Sequence, residues 1–178
     1  ILENKGKYLL IENSNIGRKK VKETKALIER DLIFPLLKPR HIKKWEINDY
    51  PYNIIIPHTK YGKNNEDELR IDQPKTYHYL LTYKEELLGR KSRWFKGKDK
   101  PFYTLFGIGD YTFKPYKVVW SMIGYLPYFA VATHVNDKSI GDKILIPDNT
   151  IGYFSFDNLE EAHYVCAILN SDFANKIF

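Results

Sequence analysis

Residues 89–100 place basic and aromatic side chains next to one another in one short segment. Positions 90–100 hold six Lys or Arg residues and a single acidic residue. Lys and Arg neutralise nucleic-acid phosphates, Arg can donate two hydrogen bonds to a guanine edge, and aromatic rings stack on unpaired bases. The alternative is a solvated loop whose aromatic residues pack into the core. The segment predicts base contacts from Arg90, Lys91 and Arg93 and phosphate contacts from Lys96 and Lys98. Stacking or buttressing is expected from Trp94 within the segment and from Tyr103 just after it.

A second basic run, residues 38–45, has the same mixture and is stiffened by a proline at position 39. An ordinary solvated surface explains this run equally well. If it faces a polyanion, the expected phosphate contacts are Lys38, Arg40, Lys43 and Lys44.

The charge of the chain is distributed unevenly. The net charge is +6 and the pI is about 9.1. Residues 1–119 carry 25 basic and 15 acidic residues, whereas residues 120–178 carry 3 and 7. This asymmetry indicates one side that faces a polyanion and another that is solvated or docks to a partner. A lysine-rich surface from an AT-rich genome is the competing explanation.

The sequence gives no positive indication of catalysis within these residues. No two of the five His residues lie three to five positions apart, which disfavours a His-based metal site. Cys166, among apolar residues, reads as a small buried hydrophobe. Residues 106–109 (FGIG) precede a segment that cannot begin a helix well, so they favour a tight turn over a cofactor loop.

Two alternatives to nucleic-acid recognition remain open. One is a divergent metal-dependent nuclease that uses Glu23 and Lys25 with an unidentified acidic partner. The other is a protein-docking module whose basic face meets an acidic partner.

The pattern of apolar residues and turn formers predicts an α+β fold, with a mixed, largely antiparallel twisted sheet flanked by helices. The most apolar stretch, residues 118–133, is too short to span a membrane, so no membrane partner is expected. Position 89 predicts a left-handed glycine cap, and Asp157 or Asn158 is expected to cap the last helix. The predicted strands are 8–11, 53–57, 117–123, 128–133, 143–147 and 151–156, the predicted helices are 25–34, 74–88 and 159–169, and the predicted loop is 60–72.

Five blocks, in this order and spacing, resemble a known family. They are residues 35–45 (PLLKPRHIKKW), 74–90 (PKTYHYLLTYKEELLGR), 102–109 (FYTLFGIG), 114–121 (KPYKVVWS) and 146–171, which closes with AILNS. The chain resembles the C-terminal target-recognition region of adenine-specific DNA methyltransferases, the TaqI-like specificity domains of type II and type IIG restriction–modification enzymes. The resemblance covers about residues 30–172.

The resemblance implies a division of labour with a separate catalytic domain. That N-terminal methyltransferase domain would bind S-adenosylmethionine and carry the catalytic motif, while this chain binds double-stranded DNA and needs no cofactor of its own. The target adenine would be flipped out of the duplex into the catalytic domain. We therefore expect a piece of a larger, cytoplasmic prokaryotic protein, with residues 1–30 as a linker or edge segment and residues 31–178 as the recognition domain.

Overall fold

The computed structural model describes residues 1–15, 20–58, 63–97, 99–124 and 128–176. The chain divides into two compact units, each made of two separate stretches of sequence. Unit 1 comprises residues 1–33 and 55–109, and unit 2 comprises residues 34–54 and 110–178. The predicted boundary between residues 30 and 31 stays a prediction. Within the described ranges, none of the helices has the length and apolarity needed to cross a membrane.

Unit 1 packs three helices with a small antiparallel sheet. The three strands of this sheet are neighbours in chain order. Leu9 and Ile28, both fully buried, face each other across the second and third strands. A second buried cluster forms around Leu69, Phe102 and Tyr103. The elements are β1 (Glu3–Lys5), β2 (Tyr8–Glu12), β3 (Lys25–Glu29), α1 (Glu66–Asp72), α2 (Pro74–Leu81) and α3 (Lys84–Leu88).

A buried carboxylate from the sheet binds the beginning of helix α2. Glu29 accepts hydrogen bonds from the backbone N–H groups of Lys75 and Thr76, at 3.1 and 2.8 Å, and from the Thr76 hydroxyl at 2.7 Å. Burial alone would raise the pKa of Glu29, but these hydrogen bonds outweigh it and lower the pKa below its ordinary value. Glu29 therefore replaces the local capping side chain that Gln73 does not provide.

Unit 2 contains the remaining strands and the closing helix. The strand Tyr116–Ser121 lies between the strands Ile151–Phe156 and Phe129–Ala132, and both pairings are antiparallel. The strand Ile33–Leu37 pairs in parallel with the strand Ile146–Pro147, with Leu36 opposite Ile146. The elements are β4 (Ile33–Leu37), β5 (Ile42–Lys43), β6 (Glu46–Ile47), β7 (Tyr52–Ile55), β8 (Tyr116–Ser121), β9 (Phe129–Ala132), β10 (His134–Asp137), β11 (Gly141–Ile144), β12 (Ile146–Pro147), β13 (Ile151–Phe156), α4 (Leu159–Leu169) and α5 (Asp172–Asn175).

The predicted α+β class is confirmed, because helices accompany several mostly antiparallel sheets. The strand predicted at 151–156 and the helix predicted at 159–169 agree with β13 and α4. Asn158 caps α4, since its Oδ1 accepts from the N–H groups of Glu160 and Glu161 at 2.7 and 3.2 Å. Cys166 is buried as predicted, and Ala162 is buried with it against the sheet.

Four predictions for unit 1 are wrong. Residues 25–34 do not form a helix, because Lys25–Glu29 pairs with β2 as a strand. Residues 66–72 of the predicted loop form helix α1, whose first turn carries three acidic residues that the helix dipole stabilises. The helix predicted at 74–88 is two helices, α2 and α3, and Gly89 has a right-handed φ of −71° instead of a left-handed one.

Candidate nucleic-acid interface

The basic segment of unit 1 is a loop that follows α3 and contains one short 3-10 turn, Arg93–Phe95. Ser92 begins this turn, and its hydroxyl accepts from the Trp94 N–H at 3.4 Å. The side chains of Lys91, Arg93, Trp94 and Lys96 are exposed, as a surface that contacts phosphates and bases requires. Lys98 lies outside the described residues. The predicted loop is confirmed, and the contacts of these exposed side chains with nucleic acid stay a prediction.

Arg90 has a different environment from its basic neighbours, because its guanidinium is directed into the protein. Its Nε, Nη1 and Nη2 atoms donate to the carbonyl oxygens of Leu87, Thr104 and Phe102 at 2.7, 2.8 and 2.8 Å. The guanidinium carbon also lies 3.9 Å from the centroid of the Phe95 ring. Burial lowers the pKa of Arg90, which stays protonated at neutral pH. Arg90 therefore fastens the start of the loop to residues 102–104, and base readout by Arg90 stays a prediction.

Tyr103 supports this arrangement from inside the core. It is only 2% exposed, and its hydroxyl donates to Asn65 Oδ1 at 2.9 Å. Its ring packs edge-on against Phe102, with centroids 5.1 Å apart. Burial raises the pKa of Tyr103, so its hydroxyl stays protonated. Of the two predicted roles of Tyr103, this position suits buttressing, and its contact with nucleic acid stays a prediction.

Two exposed aromatic rings lie next to each other, one in the basic loop and one in the segment at residues 106–109. Trp94 and Phe106 are 46% and 50% exposed, and their ring centroids are 4.9 Å apart. The Arg93 guanidinium carbon lies 5.4 Å from the Trp94 centroid. Sequence reasoning did not select Phe106 as a contact. The available sequence signal was its place in the tight turn predicted at residues 106–109, where Gly107 has a φ of +73° in the structure.

The basic run of unit 2 is partly engaged in contacts of its own. Lys38 forms an ion pair with Asp148. Burial would raise the pKa of Asp148, but the hydrogen bonds from Lys38 and Thr150 outweigh it and lower the pKa below its ordinary value. Arg40 is exposed, and its Nη2 donates to the Tyr52 hydroxyl at 2.7 Å. Phosphate contact by Lys38 would require this ion pair to open.

Lys43 and Lys44 lie on a short hairpin formed by β5 and β6. Both side chains are exposed, and the backbone of Lys43 pairs with that of Glu46 across the hairpin. Because exposed lysines are strongly hydrated and flexible, they suit phosphate contacts that do not depend on sequence. These two lysines and Arg40 form the accessible part of the predicted phosphate-binding run.

The nuclease alternative would need a metal site that includes Glu23 and Lys25. Among the described residues, no three His, Cys, Asp or Glu side chains are grouped closely enough to hold a metal ion. Glu23, the carboxylate proposed for a nuclease, accepts a 3.4 Å hydrogen bond from Asn15 Nδ2. The Lys25 ammonium lies 3.8 Å from Glu12 Oε1. An open groove of about 710 Å³ in unit 2 is lined mainly by aromatic and aliphatic side chains of β13, with Tyr111 and Val165 beside them. The groove contains no acid–base pair.

Comparison with known proteins gives one informative result. No protein-family profile matches the chain. The chain is similar to a type II methyltransferase. This relative, M.NspV of Nostoc sp. (strain ATCC 29411 / PCC 7524), is 30% identical over 152 residues, which make up 85% of this chain and 30% of the relative. The chain therefore spans less than a third of the length of the relative it matches. The similarity supports a relationship to methyltransferases of restriction–modification systems.

Proposed function

We propose that this chain recognises double-stranded DNA for an adenine-specific methyltransferase of a restriction–modification system. In this proposal it is the TaqI-like target-recognition part of a longer cytoplasmic protein. It positions the duplex, and a separate catalytic domain with S-adenosylmethionine methylates the flipped adenine. The observation that carries the proposal is the loop after α3, whose backbone is anchored through Arg90. This loop presents Arg93, Trp94 and Lys96 to solvent.

The anchoring of the loop backbone matters because sequence-specific recognition of DNA depends on geometry. A flexible basic loop neutralises phosphates equally well on any sequence, whereas a bidentate contact to a base edge needs a defined side-chain position. The Arg90 guanidinium holds two carbonyl groups of residues 102–104, and Lys100 donates to the Trp94 carbonyl at 3.1 Å. These contacts support assigning readout to Arg93 and Lys91, which extend from an anchored loop.

The distribution of charge supports unit 1 as the main polyanion-binding part. Unit 1 contains 19 basic and 12 acidic residues, whereas unit 2 contains 9 and 10. In unit 2 the local excess of positive charge lies in residues 34–54, which carry 4 basic and 2 acidic residues. In the proposal, this run adds phosphate contacts from Arg40, Lys43 and Lys44, and from Lys38 when its ion pair opens.

The experiment is a titration of the purified chain with random-sequence duplex DNA at two salt concentrations, followed by selection of a preferred site. We expect affinity to fall steeply with salt, because phosphate contacts release counterions. Lys96→Ala should weaken binding to all sequences alike and reduce the logarithmic salt slope by about one. Arg93→Ala should instead reduce the preference for the selected site by about 1–3 kcal/mol.

Lys5→Ala is the matched control, because Lys5 is an exposed lysine of unit 1 on strand β1, outside the loop. This variant should bind like the wild type. Equal losses on selected and scrambled DNA for Arg93→Ala, or unequal losses for Lys96→Ala, would contradict the assignment of roles. Absence of salt-dependent DNA binding by the wild-type chain and by the longer protein would contradict the proposed function itself.

A further inference from the structure

The tip of the β5–β6 hairpin has an unusual backbone conformation. Lys43 pairs with Glu46, so Lys44 and Trp45 form a two-residue turn between them. Trp45 has a φ of +75°, and it is the only non-glycine residue with positive φ in the part of the chain that the structure describes. In this left-handed region the Cβ atom approaches the backbone too closely, so turns of this kind favour glycine or asparagine.

The fold itself does not require an indole at this position. The Trp45 backbone N–H donates to the Phe129 carbonyl at 2.9 Å, and a glycine would donate in the same way. The Trp45 side chain is 55% exposed, so core packing does not compensate fully for the strained backbone. A strained residue with a large exposed side chain is a feature that binding sites commonly retain.

The surroundings of the indole indicate the chemistry of its ligand. Lys43 and Lys44 are exposed on the same hairpin, and the Lys44 ammonium lies 6.0 Å from the Trp45 ring centroid. Glu46 is the acidic residue of the hairpin, so the turn keeps an excess of positive charge. A planar apolar surface beside cations suits a ligand that joins flat rings to an anionic chain. Nucleic acid has this composition, since its bases stack on aromatic side chains while its phosphates attract lysine.

We propose that Trp45 is a base-stacking residue that contacts DNA at an unstacked position, with Lys43 and Lys44 holding the adjacent phosphates. The inference rests on the proposed function and deepens it, because it assigns a recognition role to a residue outside the basic positions predicted from the sequence. A base that has lost its neighbour offers an open face on which an indole can stack or beside which it can insert as a wedge.

The test compares two DNA ligands: a duplex of fixed sequence, and the same duplex with one extra unpaired base. The wild-type chain is expected to prefer the second ligand by about fivefold to 150-fold, the range that one stacked base supplies. Trp45→Gly should lose this preference and keep the salt dependence of duplex binding, because the lysines remain. Trp45→Phe should keep most of the preference.

A stability measurement separates a binding role from a structural one. Trp45→Gly relieves the left-handed strain, although it also makes the unfolded chain more flexible, so its melting temperature should be within a few degrees of the wild type or above it. Trp45→Asn, which also tolerates positive φ, provides a second variant with the same expected loss of preference.

Three results would count against these ideas, and each identifies a different failure. Unchanged preference in Trp45→Gly would overturn the inference and leave the proposed function intact. A large drop in melting temperature together with weaker binding of both ligands in both variants would make Trp45 a structural residue. Failure of both the wild-type chain and the longer protein to bind either DNA would overturn the inference together with DNA recognition by this chain.

Discussion

A buried lysine in unit 2 should make the stability of this protein depend on pH in an unusual direction. Lys117, on β8, is 1% exposed, and its ammonium donates to the Lys114 carbonyl at 2.7 Å. Burial lowers the pKa of Lys117 from its ordinary 10.5 to about 8. At 1.36 kcal/mol for each pH unit, this difference means that charged Lys117 costs the folded state about 3 kcal/mol.

The sign of the effect follows from where the proton is held. Between pH 8 and 10.5 the unfolded chain keeps the Lys117 proton while the folded chain releases it. The free energy of unfolding contributed by this group therefore rises with pH across that window. Below pH 8 both states are protonated, and the folded state carries the full cost of the buried charge.

Lys117→Met removes the charge and keeps a flexible chain of similar length. We expect it to raise the free energy of unfolding by about 3 kcal/mol at pH 7, and by about half as much at pH 9.5. Urea denaturation of both proteins at the two pH values measures this, since groups shared by both proteins cancel in the difference. Lys43→Met, at an exposed lysine of the same unit, should change stability by less than about 0.5 kcal/mol.

Two results would refute this reasoning about Lys117. A gain of equal size at pH 7 and pH 9.5 would show that packing, and not the buried charge, is responsible. Destabilisation at both pH values would show that the hydrogen bond to the Lys114 carbonyl outweighs the cost of burying the ammonium.

Three further predictions concern contacts in the two units. Glu29→Gln should lower the free energy of unfolding by about 2 kcal/mol at pH 7, because an oxygen that accepts from Thr76 becomes a donor. This loss should shrink below pH 4.5, where Glu29 of the wild type becomes protonated through its lowered pKa. Denaturation of both proteins at pH 7 and at pH 3 measures the difference. Gly152→Ala should destabilise by about 1–3 kcal/mol, measured by urea denaturation, because its Cβ would lie 2.4 Å from the Trp120 ring. Arg90→Lys should weaken DNA binding and speed proteolysis of the loop after α3, because one ammonium nitrogen cannot reach the three carbonyl groups that Nε, Nη1 and Nη2 of the planar guanidinium contact separately. An unchanged cleavage pattern would contradict the anchoring role.

Elements defined by neighbouring residues were predictable from the sequence. Helix α4 has its cap, Asn158, and its buried face, Ala162 and Cys166, within a dozen positions, so local periodicity was sufficient. Residues 25–29 were mistaken for a helix because their apolar spacing fits both structures. Pairing of Ile28 with Leu9, 19 positions away, decides the outcome, and no local pattern reveals it.

The candidate interface was predictable in composition but not in detail. The sequence located the basic and aromatic loop, because charge and residue type are visible in it. It did not reveal that Arg90 turns inward, since this depends on the carbonyl groups of Phe102 and Thr104 being within reach. The strained turn at Trp45 was also missed, because a tryptophan carries no sequence signal for positive φ.

The parallel pairing of β4 with β12 has a consequence for the order in which the protein forms during synthesis. Leu36 lies opposite Ile146, so this contact closes a chain loop of 110 residues. The segments of unit 1 are all available once residue 109 has been made, and β4 can pair with β7 once residue 55 has been made, whereas β12 follows only at residue 146. One edge of β4 therefore stays without its final partner while the chain grows, and such an unpaired strand edge is open to misassembly in a nascent chain.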